Sequence, residues 1–461
     1  MNPFSRVQLA DLRFADYIQP GDTIGWPQGP GEPLALTSAL VAQGATLQSA
    51  TPVTLCFGLS SSSTLRPELR RHFAFRALNG AGTNRRITAL ADLVPCHVSM
   101  IPSLLRSGEL RVDVALIQVR PLAAGGFSLG VIADFTQALI RSARTVIALV
   151  NPALPLMGSD AFVAHEDVDV IVEAGGHAGA IIDMPDPEPS AIERLVAAQV
   201  AALVPDRATV QLGVGTLPAA VAAALMGHRE LGVHSGVVSD VLVDLVERGV
   251  VTNAHKGRDI GRTVTGGLFG TQRLRDFAQK SGTIELRSAD YTHALAVAGS
   301  LSQFHTINSV IEIDLSGQAN AEIAGGRYLG AVGGQVDFVR AGVASPGGRS
   351  IIAFPSTTPD GKHSRIVASL DGRPVTTARS DVDVIVTEYD AAHLRGQSLA
   401  ERARRLVAIA HPEHREALLR AIGGEGASSS AKSAAGSAVL PAASGTEALA
   451  TAAPATNRVP V

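Results

Sequence analysis

The feature that most constrains this chain is a repeated alternation of strand-length apolar runs with longer helical patterns. FTQALIRSA and AIERLVAAQVAALV are typical of the helical stretches. Parallel strands need covered crossover connections, so this alternation predicts an α/β protein built on parallel sheets. The runs that read as strands buried on both faces are DVALIQV (113–119), TVIALVN (145–151), VDVIVEAG (168–175), ATVQLGVG (208–215), SIIAFP (350–355) and VDVIVTEY (382–389).

The stretch DMPDPEPS (183–190) is the clearest boundary in the chain, because it concentrates proline and acidic residues immediately before a new helical pattern. We therefore predict an N-terminal lobe over residues 1–185 and a C-terminal lobe over residues 186–423. From 424 to 461 the composition falls to Ala, Ser, Gly, Thr and Pro, with too few large apolar side chains to pack. That composition predicts a disordered tail.

Composition excludes several classes of protein. The 461 residues are 46% hydrophobic and 18% charged, with a net charge of −3, so a large core is expected and a nucleic-acid partner is not. The N-terminal sequence lacks the apolar region of a secretory signal, and no apolar run is long enough for a membrane span. We expect a soluble cytoplasmic protein. The two cysteines have no metal-ligand spacing, and no metal site is predicted.

The strongest local signal is VQLGVGTLPAAVAAAL (210–225), a strand followed by a Gly-X-Gly turn and an alanine-rich helix. Thr216 is predicted as the N-cap, with Pro218 in the first turn. Gly213 and Gly215 would let a ligand approach the backbone around Val214, beside the partial positive charge of the helix N-terminus. A purely structural strand–helix turn explains the motif equally well.

Two further glycine-rich loops also lead into helical patterns. GRYLGAVGGQVDFVRAG (326–342) places Gly333 and Gly334 before Gln335, where a bulky polar ligand or a simple hairpin turn would both fit. DTIGWPQGPGEPLALTSAL (22–40) is a strand, a loop and a helix predicted to begin near Glu32. Three such loops predict one composite site at a domain interface, because ligands of open α/β sheets bind at the carboxyl ends of strands.

The segment RELGVHSGVVSD (229–240) raises a specific question. We predict a short strand from Leu231 to Val233 that runs into a helix, with His234 and Ser235 at the junction. Gly236 would then mark either a tight turn or a missing side chain. His234 is the histidine placed nearest this strand end, and a packing role is favoured for it over a catalytic one.

The sequence resembles the acetyl-CoA hydrolase/transferase family from about residue 16 to residue 420. The segments that carry the resemblance are QLGVGTLPAAV, LGVHS with SDVLVDLVERGVV, INSVIEIDLSGQANAE, VGGQVDF, IIAFPST, VTTARSDVDVIVTEY and LRGQSLAERARRLVAIAHPEHREAL. The resemblance implies two similar open α/β lobes of the CoA-transferase type with the active site between them. It also implies coenzyme A as the carried group, with no permanently bound cofactor, and an acyl-CoA and a small carboxylate as partners. Whether the chain forms a homo-oligomer is left open.

By position, the resemblance implies that CoA contacts Gly213, Val214, Gly215 and Thr216 and the pair Gly333-Gly334. In the family's transferases a glutamate follows the His-Ser or His-Thr pair and carries CoA as a glutamyl thioester. Gly236 stands at that position here, so the resemblance implies that the turn is kept and the nucleophile is gone.

Three functions remain open from the sequence. Water or a second carboxylate could attack the acyl-CoA directly, with Glu32 or His234 as candidate catalytic residues. The pKa of Glu32 would then be lowered by a helix N-terminus, which weakens it as a base. Another carboxylate, such as Glu312 or Glu322, could replace the nucleophile. The third function is an acyl-CoA-binding protein or partner subunit without turnover. Sequence reasoning favours a CoA-transferase or acyl-CoA hydrolase that lacks the usual glutamyl-CoA intermediate.

Overall fold

The first lobe is an open parallel sheet with helices on both faces. The structure is a computed structural model that describes residues 5–175 and 179–433. In the first lobe the described strands are β1 (Ser5–Gln8), β2 (Thr23–Gly25), β3 (Val53–Phe57), β4 (Phe73–Ala77), β5 (Asp92–Leu93), β6 (Val114–Pro121), β7 (Phe127–Ser128), β8 (Thr145–Val150), β9 (Phe162–Val163) and β10 (Val170–Glu173), and the helices are α1 (Leu34–Ala42), α2 (Ile101–Ser107) and α3 (Thr136–Ser142). The main path runs β1-β10-β8-β6-β2-β3-β4-β5, and every pairing along it is parallel.

The second lobe repeats this design. Its main sheet has the order β14-β13-β12-β11-β15-β20-β22-β23 and is parallel except for the last pair. Those strands and the smaller ones beside them are β11 (Thr209–Gln211), β12 (Gly232–Val238), β13 (Thr263–Leu268), β14 (Ile284–Leu286), β15 (Phe304–Asn308), β16 (Glu312–Asp314), β17 (Ala319–Asn320), β18 (Ile323–Ala324), β19 (Arg327–Tyr328), β20 (Arg349–Ala353), β21 (Ile366–Val367), β22 (Val384–Val386) and β23 (Ala391–His393). The helices are α4 (Ala191–Ala201), α5 (Thr216–Ala224), α6 (Val241–Glu247), α7 (Gln272–Ser281), α8 (Ala289–Thr292), α9 (Leu295–Ala298), α10 (Gln335–Ala344), α11 (Leu399–Ala408) and α12 (Pro412–Ser433).

The predicted fold of two α/β lobes with parallel sheets is therefore confirmed, and strand β6 shows why the sequence revealed it. Ala115 and Ile117 pack into one apolar core, while Val114 and Leu116 pack into the core on the other face of the sheet. Fully burying each large side chain of this kind contributes about 1.5–3 kcal/mol. A strand covered on both faces is apolar at nearly every position, and in this run Gln118 is the buried polar exception, donating to the carbonyl of Pro30.

The segment 183–190 lies between the last strand of the first sheet and helix α4, and it packs on the second lobe. Asp183 pairs with Arg275 at 2.7 Å, and the N–H of Met184 donates to the carbonyl of Gly270. The hydroxyl of Ser190 accepts from the N–H of Glu193, and the carboxylate of Glu193 accepts from the N–H of Ser190. This capping box fixes where α4 begins.

At the C-terminus the structure differs from the predicted tail. Helix α12 continues to Ser433, so residues 424–433 are helical where disorder was predicted from 424. The alanine-containing stretch after residue 423 extends a helix that has already begun, and extension costs far less than starting a helix. The remainder of the predicted tail, 434–461, lies outside the described residues. Within the part of the chain that the structure describes, no helix is long and apolar enough to cross a bilayer.

Candidate functional site

The two lobes meet along a seam of backbone hydrogen bonds at the glycines of β13. Ile132 of the first lobe forms an isolated antiparallel bridge with Gly267. The N–H groups of Ala133 and Asp134 both donate to the carbonyl oxygen of Gly266, at 2.8 and 3.2 Å. Glycines in β13 allow the two main chains to approach this closely.

A second seam joins the Gly333-Gly334 loop to the first lobe. The N–H of Val98 donates to the carbonyl oxygen of Gly333 at 3.1 Å, and the N–H of Gly80 donates to that of Gly330 at 2.8 Å. Gly333 has a φ of +57°, and Gly334 is the N-cap of α10. The loop is thus a turn into a helix at the lobe junction, rather than the hairpin that the sequence left open.

Asp337, in the first turn of α10, strengthens this second seam. Its carboxylate accepts from the hydroxyl of Ser99 at 2.7 Å and from the N–H of Ser99 at 3.1 Å. Burial raises the pKa of Asp337, although these hydrogen bonds from Ser99 oppose the shift. A side chain of the second lobe therefore holds a first-lobe segment in place beside the glycine loop.

Gly236 lies inside a strand, which corrects the predicted strand–helix junction at 234–236. Strand β12 continues to Val238, and helix α6 begins only at Val241. Gly236 is absent from the positive-φ positions of the described chain, so no tight turn occurs there. Alternate residues of a strand point to opposite faces, so Gly236 shares a face with His234, whereas Ser235 points away and donates to the carbonyl of Leu212.

The space beside Gly236 is filled by the ring of His293. An ideal Cβ on Gly236 would lie 2.9 Å from both Cε1 and Nε2 of this ring, closer than real Cβ contacts come. An ideal Cβ on Gly334 would lie 2.6 Å from the same Nε2. The ring also packs on Phe338, with centroids 4.6 Å apart. His293 therefore occupies the volume between Gly236 of β12 and Gly334 of the glycine loop before α10.

His234 is fully enclosed in the sheet. Its Nε2 donates to the carbonyl oxygen of Thr292 at 3.0 Å, and its Nδ1 is buried without a partner among the described residues. Burial, together with the charge of Lys256, lowers the pKa of His234 to about 3, so the ring is neutral at physiological pH. The ring packs edge-on against Phe304. This environment matches the packing role favoured from the sequence and offers the ring no open approach for a substrate.

Glu32 does not occupy the helix start that was predicted for it. A single 3₁₀ turn over Gly29–Gly31 precedes it, and α1 begins at Leu34. Its carboxylate is buried among hydroxyl groups, at 2.9 Å from Thr37 and 3.1 Å from Ser62. Burial raises the pKa of Glu32 despite these bonds, which is opposite to the lowering expected from a helix N-terminus.

The Gly213–Thr216 turn borders a cavity of about 700 Å³. Gly215, with a φ of +122°, is the N-cap of α5, and Thr216 is the first helical residue rather than the predicted cap. The hydroxyl of Thr216 donates instead to the carboxylate of Glu193. The walls come from the second lobe and are Ser190, Ile192, Glu193, Gly213, Val214, Gly215, Thr216, Leu217, Pro218, Ile307, Asn308, Ser309, Pro355, Thr357, Thr358, Pro359 and Arg365.

Arg365 supplies positive charge to this cavity. Its Nε donates to the carbonyl of Ile311 at 2.8 Å, and its Nη2 donates to the carbonyl of Val310. Burial lowers the pKa of Arg365 to about 10, which still leaves it protonated at neutral pH. The guanidinium and the N-terminus of α5 therefore border the same space as the carboxylate of Glu193, whose negative charge partly offsets theirs.

The predicted CoA contacts thus fall in two neighbourhoods. Gly333 and Gly334 lie at the lobe junction with Gly236, whereas the walls of the 700 Å³ cavity include neither of them. The two neighbourhoods lie on opposite sides of β12. Gly213 packs near Ser235, which is on the face of β12 opposite His293.

Asp134 is a group at the junction that sequence reasoning missed. Its Cβ lies 3.6 Å from an ideal Cβ on Gly266, the residue next to Gly236 across the β12–β13 pair. Burial raises the pKa of Asp134 to about 6, against the hydrogen bonds from Thr136 and Gln28. In the sequence, Asp134 stands just before the helical pattern TQALIRS. That position indicates only a helix cap and gives no sign of a place at the lobe junction.

Known proteins match both lobes. A family model described as the acetyl-CoA hydrolase/transferase N-terminal domain matches residues 11–183, and the corresponding C-terminal domain matches residues 270–422. The 4-hydroxybutyrate coenzyme A transferase of Clostridium kluyveri is 39% identical over 393 residues, which cover 84% of this chain and 91% of that protein. The chain belongs to the acetyl-CoA hydrolase/transferase family.

Solved structures of family members agree with the fold. The crystal structure of RipA from Yersinia pestis has a TM-score of 0.84 at 33% identity, covering 91% of this chain and 97% of that chain. A 4-hydroxybutyrate CoA-transferase from Porphyromonas gingivalis has a TM-score of 0.77 at 32% identity, covering 91% and 98%. The relatives include CoA transferases and acetyl-CoA hydrolases, which supports a CoA-ester enzyme.

The two glutamates considered as substitute nucleophiles are bonded to other residues of the second lobe. Glu312 accepts from Asn320 at 2.7 Å and pairs with Arg373 at 2.5 Å. Glu322 accepts from the hydroxyl of Thr376 at 2.7 Å. Neither residue lines the cavity beside the Gly213–Thr216 turn.

Proposed function

We propose that the protein acts on acyl-CoA thioesters of small carboxylic acids without forming a glutamyl-CoA intermediate. The observation that carries this proposal is the pair Gly236 and His293. Gly236 has no side chain to acylate, and the imidazole of His293 fills the space that a side chain would need. The acyl group must then leave CoA by direct attack of water or of a second carboxylate on the thioester.

Coenzyme A is proposed to bind in the cavity beside Gly213, Val214, Gly215 and Thr216. The absence of side chains at the two glycines leaves the backbone open, since an ideal Cβ on Gly213 meets only Pro218, at 3.7 Å. The cavity volume of about 700 Å³ and the charge of Arg365 fit part of a large anionic ligand. The Gly333-Gly334 loop is proposed as the second contact, at the lobe junction.

Direct attack requires stabilisation of the oxyanion that develops on the thioester carbonyl. Backbone N–H groups supply this without reorganisation when they are fixed in a turn or at a helix N-terminus. The first turn of α5 and the turn into α10 both offer such groups, because the first N–H groups of a helix have no intrahelical acceptor. Both turns lie beside the glycines proposed to contact CoA.

An acyl-CoA-binding protein without turnover is the alternative function. Its support is that the carboxylates nearest the junction are already bonded within the protein. Asp134 accepts from Thr136 at 2.9 Å and from Gln28 at 3.0 Å, and Glu32 lies in its cluster of hydroxyl groups. A carboxylate that is held in this way attacks a thioester less readily than a free one.

One experiment separates these functions. The pure protein is incubated with a panel of short acyl-CoA esters, and both free-thiol release and acyl exchange with small carboxylates are followed. Thiol release without an acceptor identifies a hydrolase, and exchange identifies a transferase. Saturable binding of acyl-CoA with neither reaction identifies the silent binder and contradicts the proposed enzyme.

A further inference from the structure

We propose that a groove on the first lobe, separate from the acyl-CoA site, binds a small phosphorylated molecule. The groove has a volume of about 670 Å³, and its walls share no residue with the cavity beside the Gly213–Thr216 turn. The walls include Gln48, Arg70, Arg71, His72 and Asp92, and we call this site the arginine groove.

The arginine groove lies at the end of the first sheet that is remote from the second lobe. Pro52 and His72 come immediately before β3 and β4, and Asp92 opens β5. These strands pair in parallel, so their amino-terminal ends share one edge of the sheet. Gly80, whose N–H donates to Gly330 of the second lobe, follows the opposite end of β4. A ligand in the groove is therefore kept apart from the lobe junction.

The sequence around the groove carries an excess of positive charge. Residues 66–92 contain six arginines against one glutamate and one aspartate, although the whole chain has a net charge of −3. A local excess of one sign raises the concentration of oppositely charged molecules at the surface. This edge of the first lobe therefore attracts anions, whereas the protein as a whole does not.

Two of these arginines border the groove without partners. The guanidinium groups of Arg70 and Arg71 make no hydrogen bond or ion pair within the described ranges 5–175 and 179–433. Elsewhere in the same lobe, Arg106, Arg111 and Arg144 are each bonded to an aspartate. Arg70 and Arg71 therefore keep their forked N–H donors for an external acceptor, and that geometry matches the oxygens of a phosphate.

Gln48 fixes a third donor at the groove. Its Nε2 lies 2.9 Å from the carbonyl oxygen of Arg71 and 2.9 Å from Nδ1 of His72. A carbonyl oxygen only accepts, and an amide nitrogen only donates, so Nδ1 of His72 accepts from Gln48. Nε2 of His72 consequently carries the ring hydrogen, and it has no partner among the described residues.

The dimensions and the other walls favour a phosphate that is attached to a larger organic group. Pockets for small molecules enclose about 300–1,000 Å³, which is far more than a phosphate ion needs. Pro52 and Leu90 add apolar surface beside the donors. The carboxylate of Asp92 can accept from a hydroxyl or amino group of the ligand, but it repels the phosphate. A nucleoside diphosphate combines these chemical features.

The test is calorimetric titration of the full chain with ADP at about 0.15 M salt, where exposed charges are screened beyond about 8 Å. The double variant Arg70→Gln/Arg71→Gln should bind ADP about 10–100-fold more weakly, because charge-assisted hydrogen bonds are lost. Arg66→Gln/Arg86→Gln is the matched control, since it removes the same charge from exposed positions outside the groove. Its ADP affinity should stay close to that of wild type.

Asp92 supplies a test of opposite sign. Asp92→Asn removes the negative charge from the groove and should tighten ADP binding several-fold. Glu68→Gln is its control, because Glu68 is exposed on the 3₁₀ turn Pro67–Arg71 and does not line the groove. A general response to net charge would tighten binding equally in both variants and would contradict a site at the groove.

The remaining outcomes decide the class of ligand, and none of them depends on turnover of acyl-CoA. Equal ADP affinity in wild type and Arg70→Gln/Arg71→Gln overturns the proposal, as does the absence of ADP binding at about 1 mM. Inorganic phosphate should bind more weakly than ADP; equal affinity overturns the organic ligand. Binding of a polyglutamate peptide without binding of ADP overturns the small-molecule site in favour of a surface for acidic proteins.

Discussion

The glycines at the end of β11 and the glycine at position 236 in β12 differ in what surrounds them. At the end of β11, an ideal Cβ on Gly213 or Gly215 meets nothing closer than 3.7 Å, and the turn opens into a cavity of about 700 Å³. In β12, an ideal Cβ on Gly236 meets an imidazole at 2.9 Å. The first pair of glycines borders open space, whereas the space beside Gly236 is filled by the ring of His293.

This difference shows that a missing side chain and a vacant site are separate properties. A protein interior is close-packed, so volume given up by one residue is usually taken by a neighbour. At Gly236 the neighbour is His293. The turn proposed to bind CoA and the position of Gly236 can therefore be altered independently, and each can be tested by itself.

The largest expected effect comes from restoring the carboxylate together with the space for it. Gly236→Glu alone should form no covalent adduct with acyl-CoA, because His293 occupies the volume, and overpacking should cost about 1–3 kcal/mol of stability. The double variant Gly236→Glu/His293→Asn should gain a CoA adduct on the peptide that spans 234–240, detected by mass spectrometry.

His293→Asn alone is the control for the double variant and should carry no adduct. An adduct on the single variant Gly236→Glu would show that the imidazole moves aside easily. An adduct on Asp134, Glu32, Glu312 or Glu322 in the wild type would mean that the nucleophile has moved rather than been lost.

The next effect concerns the open turn. Gly215→Val should weaken CoA binding by about 100-fold, roughly 2.7 kcal/mol, because a φ of +122° is strained for any L side chain and the isopropyl group blocks the backbone. Gly227→Ala is the matched control, because an ideal Cβ on Gly227 meets nothing within 4 Å and Gly227 does not line the cavity. Calorimetry that finds equal affinity for a folded Gly215→Val variant would show that CoA binds elsewhere.

A smaller effect is expected from Asp134 at the junction. Burial raises the pKa of Asp134 to about 6 in the folded protein, from an ordinary value of 3.8. The folded state then holds a proton that the unfolded state loses, so this contribution to stability is complete below about pH 4 and disappears as the pH rises through 6. Across that interval Asp134→Asn should gain about 3 kcal/mol relative to wild type, measured by urea unfolding.

Asp276→Asn is the control for the pH series, since Asp276 is exposed and bonds only to Gln272 among the described residues. This control measures how far an aspartate-to-asparagine change at an exposed site alters the stability profile. A wild-type profile that parallels that of Asp134→Asn would contradict the raised pKa at the junction.

The smallest effect is expected from the C-terminus. Removal of residues 434–461 should leave both the melting temperature and CoA affinity unchanged, because that stretch has too few apolar side chains to pack. Cutting at 423 should cost more, since it also removes the last turns of α12. A clear loss of affinity after the shorter truncation would show that the terminal segment contributes to the site.

The sequence predicted the parallel sheets and the glycine turns because those features are local. Runs such as Thr145–Val150 are apolar at nearly every position, and a two-faced sheet leaves no alternative. The prediction failed for β12, which was expected to end at Val233. The carbonyl of Thr292 accepts from Nε2 of His234 inside the core, and the ladder with β13 carries the strand through Gly236.

The side chains around the reacting position could not be predicted in the same way. His293 follows a short helix far along the chain from β12, and only the packed structure shows that its ring reaches Gly236. Glu32 was expected to feel a helix N-terminus, but hydroxyl groups from the segment after β3 surround it and burial dominates. Both cases depend on contacts between distant segments, which periodicity and spacing do not encode.

The seam between the lobes has an evolutionary consequence. The hydrogen bonds from Ala133 and Asp134 to the carbonyl of Gly266 use main-chain atoms alone, and every non-proline residue carries such a donor. Mutations that exchange reactive side chains therefore leave the registration of the lobes intact, so long as the glycines of β13 remain. Such a scaffold can acquire a new reaction one side chain at a time, without first rebuilding the cleft in which the reaction takes place.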